Sequence, residues 1–189
     1  MRALSTLLTA GLLSLAVLPA ATRSATAFEL RSADLSAEAP IVAPQVANGF
    51  GCSGGNLSPA LSWSDPPAGT RSLAVTMYDP DAPTGSGWWH WLVFNLPANT
   101  TSLPTGAGVA SGSKLPAGAV QSRTDVGAVG YFGPCPPVGD KPHRYIVTVH
   151  ALKVDQLPVV TSDSSGAMVG YFLTANSLGK ATLTARYGR

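Results

Sequence analysis

Two stretches of the chain concentrate residues that could do chemistry. The first is Asp79-Pro80-Asp81-Ala82-Pro83, followed by Trp88-Trp89-His90-Trp91; the second runs from Gly130 to Gly139 and continues into Pro142-His143-Arg144-Tyr145. Each sets polar side chains at the end of a β-branched and aromatic run, against a loop stiffened by proline. Polar groups fixed in this way can hold a ligand with little further ordering. The imidazoles of His90 and His143 and the Tyr145 hydroxyl can donate to an anion. Backbone N–H groups around Gly133 can add a nest, since glycine lets the chain come close. Ionised Asp79 and Asp81 can only accept. They read as groups that orient and charge the histidines, or that meet an ammonium. The alternatives are turn chemistry for the aspartates and plain packing at a sheet edge for the histidines. A third reading joins Asp79, Asp81, His90 and His143 around a divalent cation for phosphoester hydrolysis, with no other nucleophile or general base in view. His150, between Val149 and Ala151, reads as a packed side chain. The chain has no G-x-S-x-G elbow, no phosphate loop and no dinucleotide fingerprint. Asn56-Leu-Ser58 and Asn99-Thr-Thr101 match the glycosylation sequon, a motif too short to weigh.

The elements that must position these residues are mostly strands. Residues 28–189 hold 19 Gly and 15 Pro, spread between short apolar runs rather than gathered in one block. That is the layout of a mainly β domain with many turns. Phe28–Leu35, Ser72–Asp79, Trp88–Leu96, Tyr145–Val154 and Ala181–Tyr187 are predicted as strands. Strict alternation puts Trp88, His90, Leu92 and Phe94 on one face of the third, with Trp89, Trp91 and Val93 opposite, so both faces are expected to be buried. One helix is predicted over Ser165–Leu178 from the spacing of Met168, Tyr171, Phe172 and Ala175, with Ser164 as N-cap and Gly179 as C′ residue. No internal repeat or linker divides the chain.

Charge and cysteine content narrow the function classes. Lys and Arg total 12 against 10 Asp and Glu, and the excess lies at Arg2 and Arg23. The remainder is formally neutral and makes a poor nucleic-acid binder. Residues 1–27 read as a signal peptide: Arg2 opens it, Ala3–Ala21 is apolar apart from Ser and Thr, and Ala25-Thr26-Ala27 fits the cleavage rule. The alternative is an uncleaved anchor. No other stretch is long enough to span a bilayer, so a periplasmic or secreted domain, 28–189, is expected. In an oxidising compartment, Cys52 and Cys135 are expected to form a disulfide. Two cysteines and three scattered histidines make no zinc-finger spacing, and neither metal nor cofactor is expected.

The DPDAP stretch, the Trp88-x-His90 run and the loop from Gly133 to His143-Arg144-Tyr145 resemble the phosphatidylethanolamine-binding protein family. Phe50-Gly-Cys-Ser-Gly-Gly-Asn56-Leu-Ser-Pro59 and Ser165-Gly-Ala-Met-Val-Gly-Tyr171 resemble its bacterial YbhB/YbcL, or Raf-kinase-inhibitor-like, branch, and within it the exported YbcL-like members. The resemblance implies a large antiparallel sheet packed on a smaller one, with one or two short helices. It implies a pocket for a small anion, such as the phosphate of phosphoethanolamine, at Asp79, Asp81, Trp88, His90, Gly133, Pro137, His143 and Tyr145. It also implies a non-enzymatic module, a homodimer, and a protein partner whose activity it modulates. Trp89 stands where eukaryotic members carry a second histidine, and no C-terminal helix follows the last predicted strand, which implies a more open pocket. The rival reading is a surface-mediated inhibitor of proteases or signalling, with a vestigial pocket.

Overall fold

The longest apolar runs of the sequence pair with one another. In the computed structural model, which describes residues 27–189, the strands in chain order are β1 (Glu29–Arg31), β2 (Asn48–Gly49), β3 (Cys52–Ser53), β4 (Leu61–Ser64), β5 (Ser72–Asp79), β6 (Trp88–Pro97), β7 (Ser102–Leu103), β8 (Val120–Gln121), β9 (His143–Leu152) and β10 (Ser177–Tyr187), with one helix, α1 (Gly166–Asn176), before the last. Five of them form an antiparallel sheet in the order β10-β9-β5-β6-β8, and β1-β4-β7 form a smaller one. The strands β2 and β3 make a separate hairpin. The predicted signal peptide lies outside the described residues, apart from Ala27.

The two faces of the large sheet are covered differently. Val75, Met77, Trp91, Val93, Tyr145, Val147 and Val149 pack on Leu30, Leu61, Trp63 and Leu103 of the small sheet. Ala74, Leu92, Phe94 and Leu152 pack on Val169 and Leu173 of α1 and on Leu157 and Val160. Each such side chain contributes about 1.5–3 kcal/mol when fully buried. β5 and β6 are therefore apolar on both sides, as predicted for β6.

Several boundaries differ from the sequence reading. β1 is short because Ser32 turns the chain, its Oγ accepting from the N–H groups of Asp34 and Leu35. β9 begins two residues early, which brings His143 into the sheet. The N-cap of α1 is Ser165, whose side chain accepts from Met168 N, while Ser164 instead accepts from Thr161 N. The helix ends by passing directly into β10, so Gly179 sits at a register shift in that strand rather than at a helix C′.

The inner face of α1 is also not the predicted one. Met168 and Tyr171 are 36% and 69% exposed, whereas Val169 and Leu173 are buried. Residues 166, 169, 170 and 173 share a face at helical spacing, and two of these are glycines. A Cβ on Gly166 would stand 2.3 Å from the Trp89 ring, and one on Gly170 would stand 3.5 Å away. The helix docks through its glycines because the indole fills the space where side chains would otherwise go.

A bulge in β6 corrects the predicted alternation. Met77 pairs with Trp91, but Tyr78 pairs with Trp89, leaving His90 as an extra residue. An inserted residue inverts the parity of the positions beyond it, until a second register shift, between Leu73 and Val75, inverts it again and puts Leu96 with Trp91 and Val93 in the core. Trp88 and His90 line the cavity described below, and Trp91 and Val93 stay with the core on that side, while Leu92 and Phe94 join Trp89 on the helix side.

Candidate functional site

The adjacent strands β9, β5 and β6 bring one end of the sheet together. Asp79 closes β5 opposite Trp88, the first residue of β6, and the start of β9 lies alongside with His143 and Tyr145. Here a cavity of about 170 Å³ opens, lined by Asp79, Trp88, His90, Pro137, His143 and Tyr145. Six of the eight residues predicted from sequence thus share one cavity. The other lining residues include Phe50, Ala82, Pro83, Thr84, Phe132, Cys135 and Pro136. Phe50 and Phe132 were missed because hydrophobic residues in glycine-rich loops carry no periodic signal; they were visible only as aromatics flanked by glycine.

The polar groups of the site are fixed by hydrogen bonds to one another. Asp79 is 3% exposed. Its Oδ1 accepts from Asp81 N at 2.8 Å and Ala82 N at 3.1 Å, the turn role its position predicts. Its Oδ2 lies 2.8 Å from His143 Nδ1. A carboxylate only accepts, so Nδ1 carries the proton. The other nitrogen of His143 lies 3.4 Å from Asp140 Oδ2, so both nitrogens face carboxylates. Asp79 therefore orients His143, with three of its four acceptor sites taken.

His90 is held differently. Its Nδ1 donates to the Phe132 carbonyl at 2.7 Å, and its Nε2 is buried with no partner among the described residues. Burial pushes its pKa below the ordinary histidine range, with the Phe132 carbonyl and the Asp79 charge opposing. At neutral pH the ring thus offers the cavity a bare lone pair. The Tyr145 hydroxyl is likewise buried and unpartnered, with its pKa raised by burial first and by the Asp79 charge second. The two rings meet edge to face at 5.2 Å.

Two predicted residues lie outside the cavity. Asp81 faces Arg144, accepting from its backbone N–H at 2.8 Å and from its guanidinium at 2.9 and 2.7 Å. That guanidinium holds its carboxyl at a pKa of about 2. The Asp81 carboxylate is thus spent on Arg144 and reaches His143 only through its charge, and no group of three His, Cys, Asp or Glu side chains converges as a metal cage among the described residues. Gly133 makes no nest: its N–H donates to Asn56 Oδ1 at 2.8 Å. A Cβ there would meet the Gln45 carbonyl at 2.2 Å. Gly133 lets two loops touch and so positions Phe132 and the Cys135–Pro137 wall. Cys52 and Cys135 form the expected disulfide, with their Cα atoms 6.0 Å apart.

Comparison with known proteins places this geometry. The family model for phosphatidylethanolamine-binding protein matches residues 36–188. YbcL of Escherichia coli is 55% identical over 163 residues, covering 86% of this chain and 88% of that one. YbhB of the same organism is 54% identical over 143 residues, covering 75% and 88%. A protein described as the lipoprotein LppC of Mycobacterium tuberculosis is 34% identical over 78% of this chain and 71% of its own. The crystal structure of YbcL, described as a member of the mammalian PEBP family, superposes with a TM-score of 0.84 over 86% of this chain and 98% of that one. A homolog from Chlamydia trachomatis gives a TM-score of 0.70 at 30% identity, over 86% and 98%. With its large antiparallel sheet, smaller sheet and single helix, the chain belongs to the phosphatidylethanolamine-binding protein family.

Proposed function

We propose that the chain is an exported binding protein whose cavity takes a small oxyanion or phosphorylated head group and does not turn it over. The observation that carries this reading is the pair of buried, unpartnered polar atoms, His90 Nε2 and Tyr145 Oη, on two residues that line one cavity beside Asp79 and His143. Buried polar atoms are nearly always paired, and one ligand oxygen set could satisfy both. The oxyanion is the recognised end of a phosphoethanolamine-like ligand, since the two unpartnered atoms are the ones a phosphate oxygen would satisfy, whereas Asp79 already accepts three hydrogen bonds. The signal-peptide pattern of residues 1–27 supports export, as does the likeness to a protein described as a lipoprotein. Occupancy of the cavity would mark the protein for a partner whose activity it modulates.

The test is a tryptophan-fluorescence titration of residues 28–189 with phosphoethanolamine, for which Trp88 in the cavity wall is the reporter. Tyr145→Phe removes one donor and keeps the ring, so it is expected to weaken saturable binding about 10-fold or more. Absence of saturable binding in the wild type rejects the reading. It would favour a surface-mediated inhibitor, for which the exposed Met168 and Tyr171 of α1 offer a face.

A further inference from the structure

We infer, resting on the oxyanion reading of the cavity, that Phe50 is its specificity-determining cover, selecting an organic ester with an apolar substituent over a free inorganic anion, and that the Cys52–Cys135 bridge belongs to the site because it fixes that cover.

The hairpin of β2 and β3 pairs Asn48 with Ser53 and Gly49 with Cys52, leaving Phe50 and Gly51 as a two-residue loop. Both have positive φ, 52° and 82°. Such loops favour Asn-Gly, because Asn tolerates the left-handed region and a bulky aromatic does not. Phe50 is thus the wrong residue for its turn. It is also not placed there for burial, being 67% exposed. What it does is line the cavity, edge-on to Phe132 with ring centroids 5.6 Å apart. An unfavourable backbone conformation that the surroundings enforce is most often found at a functional position.

Those surroundings hold the turn from two sides. The disulfide ties Cys52 to Cys135, itself a lining residue. The Arg189 guanidinium then joins the same two segments, donating to the carbonyls of Gly51 at 2.9 Å, Phe50 at 3.3 Å and Pro136 at 2.7 Å. The cavity is also chemically divided. Its polar atoms belong to the strand ends, whereas Phe50, Phe132, Pro136 and Pro137 present only carbon. A ligand that fills both parts has an oxyanion on His90 and Tyr145 and a carbon group under Phe50.

The experiment compares inorganic phosphate with phenyl phosphate by isothermal titration at one pH, for the wild type and Phe50→Asn. Asn suits the turn, so the variant keeps its fold. The wild type is expected to bind phenyl phosphate at least 10-fold more tightly than inorganic phosphate. Phe50→Asn is expected to lose at least 10-fold on phenyl phosphate and less than twofold on inorganic phosphate. Equal losses on both probes, or no loss on either, overturn the assignment of Phe50 while the oxyanion site stands. If the wild type binds neither probe, the oxyanion reading fails and this inference falls with it. A Cys52→Ala/Cys135→Ala chain that retains its circular-dichroism spectrum is expected to lose the preference for phenyl phosphate. Wild-type preference in that chain overturns the role of the bridge.

Discussion

An anion entering the cavity must bring a proton with it. His90 Nδ1–H is committed to the Phe132 carbonyl, so the group that faces the ligand is the bare Nε2. A negatively charged oxygen against that lone pair is repelled; against a protonated Nε2–H it is bound. Burial keeps free His90 neutral well below the ordinary histidine range, and the bound anion raises its pKa again. The complex therefore holds one more proton than its separated parts. Affinity therefore rises as pH falls, by up to tenfold per pH unit, and levels off below the pKa of free His90. One unit corresponds to about 1.4 kcal/mol, so tenfold per pH unit is the steepest slope that one coupled proton can give. Sulfate is the right probe, because it stays doubly ionised over this range, whereas a phosphate ester has its own second pKa near about 6. Titration calorimetry in buffers of different ionisation enthalpy reads the proton uptake directly, with one proton per sulfate expected. His90→Gln supplies an N–H donor that does not titrate, so it should bind sulfate with a flat pH profile. A flat wild-type profile, or the same slope in His90→Gln, refutes the reasoning. His143 cannot stand in for His90, since both of its nitrogens already face carboxylates.

Three further outcomes follow from the packing. Gly133→Ala drives a methyl group to 2.2 Å from the Gln45 carbonyl and 2.6 Å from Ala47 N; both are backbone, so a loss of about 3 kcal/mol is expected, read as a fall in Tm of roughly 6–12 °C. Unchanged Tm would show that the two loops separate easily. Cys52→Ala/Cys135→Ala opens a link across 83 residues and is expected to cost about 4–5 kcal/mol on the chain-entropy model, measured by urea unfolding. His150 has its pKa pushed down to about 4 by burial and then by the Lys180 charge. The unfolded chain accepts a proton there below about pH 6.5 that the folded chain refuses. Stability is therefore full above that pH and falls between about 6.5 and 4, by up to about 3 kcal/mol. His150→Gln should flatten that part of the urea-unfolding profile against pH, and an unaltered slope would exclude His150 as its source.

How far the sequence could be read depended on which signal each feature leaves. The central strands were legible because they are long and apolar, and β5 has the predicted bounds. Asp79, His90, His143 and Tyr145 were legible as polar residues at the ends of such runs. The faces of β6 beyond His90 were not, because a bulge inverts parity without changing composition. The inner face of α1 was hidden for a related reason: hydrophobicity alone ranks Met168 and Tyr171 above Gly166 and Gly170, yet the Trp89 indole needs the glycines. Gly133 looked like a donor to ligand, and only the position of Asn56, 77 residues away in sequence, shows that its N–H is taken. Long-range pairings of that kind leave no local pattern.

The extra residue at His90 gives the site an unusual genetic arithmetic. Deleting that one codon would leave Trp89 and Trp91 adjacent, remove the bulge between Met77 and Tyr78 and take away the cavity's central imidazole in a single step, while the second register shift, between Leu73 and Val75, would stay. Conversely, no set of substitutions on an ordinary two-residue repeat can build this arrangement, because side-chain exchange leaves the phase of the pleat untouched. The bulge is reached or lost by a change of length. Among homologous chains, an indel at this point of the strand should therefore remove the His90 arrangement whatever residues surround it.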